Sequence, residues 1–188
     1  MPFPHILRPL VFSISVIMIE WGVFPTLFLI FAIISLAGSK FKKRCFTWKF
    51  SKTLVAISSL ILTGMVLSGV VTGTSNSLRN PYLLFLYIPW SLFQEFAIFC
   101  FIYENLEKIL KGFTLNISVA VIFSLFHLPN KFLVSGTFFM ILFFTSYYKK
   151  HRTILLPAIL HYIFAMVALI FVPESITHAL KVGINCCR

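Results

Sequence analysis

Residues 90–103 read Trp-Ser-Leu-Phe-Gln-Glu-Phe-Ala-Ile-Phe-Cys-Phe-Ile-Tyr. The run is apolar apart from Gln94 and Glu95 at its centre, and it extends back through residues 82–89 without a charge. A stretch of this length is a membrane-span candidate. A carboxylate at the midpoint of a span is costly to bury, and an ionisable group at that depth marks a functional site by default. The chain holds only five carboxylates, all Glu, and no Asp. A Glu in this position is therefore not the by-product of a charge-rich sequence.

The rest of the chain has the same character. It is 188 residues long, 59% hydrophobic and 11% charged, with 23 Phe. A soluble domain of this size cannot enclose that much apolar surface in one core. Apolar runs separated by short basic clusters predict an all-α fold, a polytopic membrane helical bundle of about six transmembrane helices. The runs are 10–38, 53–72, 82–103, 115–129, 131–148 and 153–172. The first is long enough to tilt or break, and Gly22 and Pro25 offer a place for it. It is too long for a cleavable signal peptide, and no small-residue cleavage site follows. With no internal repeat or low-complexity tract, residues 1–188 read as a single transmembrane domain.

Sixteen Lys and Arg give a net charge of +11. They fall between apolar runs, where they set topology. No stretch carries the polar helix face or aromatic platform of a nucleic-acid binder, so no nucleic-acid partner is expected. Lys40, Lys42, Lys43, Arg44, Lys49, Lys52, Lys108, Lys111, Lys149, Lys150 and Arg152 lie on one set of alternate loops. Arg8, Arg79, Lys131, Lys181 and Arg188 lie on the other. The positive-inside rule places the richer set in the cytoplasm and both termini outside. There is no CxxC pair. Cys186 and Cys187 end the chain as a tail, with a vicinal disulfide as the alternative.

Two further spans carry an ionisable group. Phe123-Ser-Leu-Phe-His127-Leu-Pro129-Asn130 ends the fourth run, and Leu156-Pro157-Ala158 leads to His161 in the sixth. Taken singly, each has a bland reading: a neutral Glu bonding helix to helix, or a core histidine bonding a carbonyl. Three such groups on three spans read as one site. Asn130 can share a helical face with His127. Pro129 can leave carbonyls near the site without helical partners.

The order and spacing of these residues resemble the CPBP intramembrane proteases, the CAAX-prenyl-protease-2 and bacteriocin-processing group also called Abi. The family pattern is Glu-Glu-x-x-x-Arg, then Phe-x-x-x-His, then His-x-x-x-Asn or a small residue. It matches Gln94-Glu95-x-x-x-Phe99, Phe123-x-x-x-His127 and His161-x-x-x-Ala165. The similarity covers about residues 82–172, the family-like catalytic core. It implies a glutamic-type protease in which the first Glu and first His activate water, and the second His and the Asn support the oxyanion. Here Gln94 stands at the first Glu, Phe99 at the Arg and Ala165 at the Asn. The myxosortase-like sorting branch, which cuts C-terminal membrane tails, resembles this chain in tolerating Gln at the first position. The resemblance also implies a prokaryotic inner or plasma membrane.

Peptide hydrolysis in a bilayer needs water, a base and an oxyanion donor. Glu95, His127 and His161 supply a catalytic set, and Gln94 or Asn130 could add a neutral supporting donor. The expected function is an intramembrane endopeptidase with no cofactor. Its partners are the lipid bilayer and a membrane-anchored peptide or C-terminal sorting or CAAX-like tail. Two alternatives stand. Glu95, His127 and His161 could together bind zinc with an open fourth position. Or the protein could be an inactive relative, a membrane peptide-binding or immunity protein.

Overall fold

In the computed structural model, residues 3–20, 43–76, 82–183 and 186 are described. All regular structure among them is helical, with no strand. The elements are α1 (Phe3–Glu20), α2 (Lys52–Val71), α3 (Tyr82–Glu95), α4 (Gly112–Leu125), α5 (Lys131–His151), α6 (Leu155–Phe171) and a short α7 (Glu174–Thr177). The proposed break at Gly22 and Pro25 lies outside the described residues.

Sequence cues set the helix ends. Ser51 caps α2 by accepting from Leu54 N at 3.3 Å. Asn130 caps α5 by accepting from Leu133 N at 3.1 Å. Each such cap stabilises its helix by about 1 kcal/mol. Lys149 and Lys150 lie in the last turn of α5, where positive charge meets the negative end of the helix dipole. Beyond Glu95, α3 widens into a π-helix over Phe96–Tyr103, then returns to α-helix over Glu104–Leu106. Such widenings recur at functional sites, and they shift the face that later residues present.

Among the described residues, three helices are long and apolar enough to cross a membrane: Lys52–Val71, Leu84–Leu106 and Lys131–His151. Ile6–Ile19, Gly112–Leu125 and Leu155–Phe171 are apolar but shorter. The fourth predicted run is short as a helix because the chain leaves α4 at Phe126 and turns through Pro129. Large apolar side chains such as Leu60, Phe85, Phe113 and Phe139 stand exposed on the outer faces, as lipid contact requires. The interior is built from Ile98, Phe99, Ile102, Tyr103, Val119, Phe123, Ile141 and Tyr148. Together these features make the chain an integral membrane protein.

α4 packs against α5, and α6 packs against both α3 and α2. The α2–α6 contact is close at Gly69, where a Cβ would meet Phe171 O at 2.5 Å. The loops sort onto two ends. Ile154 N–H donates to Cys45 O at 2.9 Å, Thr153 donates to the carbonyls of Cys45 and Thr47, and Arg152 pairs with Glu107. The loops assigned to the cytoplasm therefore meet at one end. At the other end, Asn76 donates to the carbonyls of Leu169 and Val172, and Gly183 N–H donates to Leu128 O at 2.7 Å. Cys186 is buried and disulfide-bonded.

Candidate active site

Glu95 is the last α-helical residue of α3 and is wholly buried. It faces α6, where Nδ1–H of His161 donates to its Oε1 at 2.8 Å. The length is that of a well-formed N–H···O hydrogen bond. The bond fixes the ring and directs Nε2 of His161 the other way. Oε2 of Glu95 has no hydrogen-bond partner.

His127 is held differently. At the end of α4 the backbone tightens: His127 N–H donates to Ser124 O at 3.0 Å rather than to the carbonyl four residues back. That carbonyl, Phe123 O, lies 3.0 Å from Nδ1 of His127. A carbonyl can only accept, so Nδ1 carries the proton and Nε2 of the neutral ring is a lone-pair acceptor. The Phe123 ring packs on both imidazoles, with centroids 4.9 Å from His127 and 5.8 Å from His161.

The two imidazoles line one cavity of about 340 Å³ between α2, α3, α5 and α6. Its walls are otherwise largely apolar, with Ile61, Met65, Phe132, Met140, Phe143 and Phe164 among them. That size fits a few side chains of a peptide. Glu95 stands behind His161 and is absent from the lining.

Gln94 and Asn130 are not brought to this cavity. An α-helix turns about 100° per residue, so facing Glu95 to α6 turns Gln94 toward α1 and α4. There it lines a separate space of about 30 Å³ with Phe12, Val16 and Phe126, and its Oε1 has no partner. Phe123 also lines that space and so stands between Gln94 and the histidines. Asn130 is fully buried, and its amide donates to the carbonyls of Thr177 and Lys181 at 2.8 and 3.1 Å. Those two bonds take its N–H donors and the cap on α5 takes its Oδ1, so in this arrangement Asn130 binds the end of α7 and the segment after it. Phe99, at the Arg position, is core and stacks on Tyr148 at 4.8 Å. Ala165 does line the cavity.

The three-ligand zinc set does not assemble. Glu95 meets His161 through Nδ1 and is shut off from the cavity, which leaves two imidazole Nε2 atoms where zinc takes three or four protein ligands. Among the described residues, no three His, Cys, Asp or Glu side chains gather to hold a metal ion.

Sequence reasoning missed Tyr87. It lines the cavity and meets His161 edge-on, with centroids 6.3 Å apart. The signal was available: Tyr87, Ser91 and Glu95 follow one another at four-residue spacing on one helical face.

The class defined by fold and site is a helical membrane protein with a carboxylate-backed imidazole and a second imidazole at an interior apolar cavity. Residues 76–167 match the family described as type II CAAX prenyl endopeptidase, Rce1-like. This match contains Glu95, His127 and His161, spans just under half of the chain, and supports the resemblance to the CPBP family, a family of proteases. No curated protein and no solved structure matches the chain.

Proposed function

We propose that the protein is an intramembrane endopeptidase that cuts a membrane-anchored peptide near its C-terminus, in a CAAX-like or sorting tail. The observation that carries this reading is the pair of imidazoles facing one apolar cavity, each fixed through Nδ1 by a different partner. The two fixings give the rings different work. His127, bonded to a carbonyl, offers Nε2 as the base that takes a proton from water. His161, backed by Glu95, is suited to carry positive charge and to donate Nε2–H to the oxyanion. Glu95 acts through His161 as a positioning residue, a change from its expected role as the base.

In this reading the basic end of the bundle faces the cytoplasm and both termini lie outside, in a prokaryotic plasma membrane, as the distribution of Lys and Arg supports. Reporter fusions after Arg44 and after Arg188 then report opposite sides, and two cytoplasmic reports overturn that arrangement.

The test of activity is incubation of the protein in liposomes with peptides bearing prenyl-cysteine or hydrophobic sorting tails, read by mass. The reading expects cleavage of one tail class at a single bond, lost in His127→Ala. Tight binding of such a tail with no cleavage by the wild type favours the inactive relative, a reading that Gln94 and Ala165 support at their motif positions.

A further inference from the structure

Tyr87 lies two turns before Glu95 on α3, and its side chain lines the cavity beside His161 and Ala165. Its ring meets the His161 ring at 80°. Tyr87 is half-buried, and a phenol in an apolar lining is a donor in want of an acceptor. It makes no hydrogen bond among the described residues. Thr137, another hydroxyl on the lining, already donates to Leu133 O at 2.6 Å within its own helix. Tyr87 is thus a donor without an acceptor, and its ring contacts the imidazole assigned to the oxyanion.

We propose that Tyr87 is a catalytic residue whose O–H hydrogen-bonds the oxyanion together with Nε2–H of His161. This role rests on the peptidase reading above. In the step concerned, the water oxygen bonds to the scissile carbonyl carbon and one water proton passes to Nε2 of His127. The carbonyl π pair moves onto oxygen, and Tyr87 and His161 donate to it. Collapse restores the carbonyl and breaks the C–N bond, and the proton on His127 goes to the leaving amine. Tyr87 keeps its proton throughout, so the role needs donation only. The phenol and the imidazole reach the oxygen from different helices, α3 and α6, which holds the donors apart in angle.

The test is Tyr87→Phe, which keeps the ring against His161 and deletes only the hydroxyl. The expected result is a kcat lower on the order of 10²-fold, with KM within about threefold. A second measurement is binding of a tetrahedral phosphonamidate analogue of the cut peptide, measured per folded molecule. The variant is expected to lose affinity for this analogue by a factor close to its loss in kcat/KM, and to bind the uncut peptide as the wild type does. A purely structural role for the phenol would weaken both ligands alike. A wild type that cuts, beside a Tyr87→Phe variant with equal kcat or equal affinity for the analogue, overturns the role of Tyr87 alone. A wild type that cuts nothing removes the peptidase reading and this role with it.

Discussion

The basic end of the bundle and the cavity treat polar groups differently. At the basic end most are paired, although the buried Tyr103 hydroxyl has no hydrogen-bond partner among the described residues. Arg152 forms a two-pronged ion pair with Glu107 and lies over the rings of Tyr103 and Tyr148. Glu107 holds the guanidinium above its usual pKa. Tyr148 donates to Glu104 at 3.0 Å, and Tyr147 donates to Lys49 O. Around the cavity, polar atoms are left with bonding capacity: Oε2 of Glu95, the phenol of Tyr87 and Nε2 of both imidazoles. Buried polar groups are bonded as a rule, so a cluster with spare capacity calls for an explanation. The basic end ties loops together, while the cavity holds groups ready for a ligand.

Substitutions in the two regions should therefore separate activity from stability. The largest effect is expected at the imidazoles. His127→Ala and His161→Ala each lower peptide cleavage by about 10²- to 10⁴-fold, as loss of a base or oxyanion donor does. Folded protein remains in the membrane, as gel filtration in detergent would check. Cleavage in either variant at the wild-type rate would erase the contrast from the cavity side.

Gly69→Ala comes next. Its new methyl would meet the Phe171 carbonyl and Cβ at 2.5 and 2.8 Å, so α2 must move off α6. Overpacking of this kind costs about 1–3 kcal/mol, read as a lower midpoint in thermal unfolding. Because α2 also walls the cavity, a modest loss of activity accompanies it.

Arg152→Ala sharpens the contrast from the basic end. It removes a half-buried ion pair worth about 1 kcal/mol and leaves activity per folded molecule unchanged. A large activity loss without destabilisation would show that the basic end contributes to the chemistry.

The smallest effect is expected at Gln94. Its Oε1 has no partner and Phe123 separates it from the histidines, so Gln94→Met changes activity by no more than about threefold. Gln94→Glu brings no gain, because the new carboxyl faces the small apolar space. A gain in cleavage by Gln94→Glu would mean that α3 rotates to bring this position to the water.

The helical fold and the joining of Glu95 and His161 were legible because span-length runs and rare mid-span ionisable groups are strong signals. The sequence gives each group a depth, and depth narrowed three spans to one site. It does not give the rotation of a helix about its axis. Whether Gln94 or Glu95 faces α6 depends on how α3 packs, and the π-helix after Glu95 breaks the angular count to Phe99. Asn130 shows the same limit. The carbonyls that take its amide are 47 and 51 residues away in sequence, on a segment whose docking no local pattern reveals. Neither does periodicity reveal that α2 and α5 close the cavity.

The central claim is that Glu95 works through His161. A double-mutant cycle with Glu95→Gln and His161→Ala tests it by comparing kcat/KM of the two single variants, the double variant and the wild type. The account predicts that the double variant is no more impaired than His161→Ala alone, because removing the imidazole leaves Glu95 nothing to position. Losses that multiply in the double variant would show Glu95 acting independently, as a base in its own right, and would contradict the account.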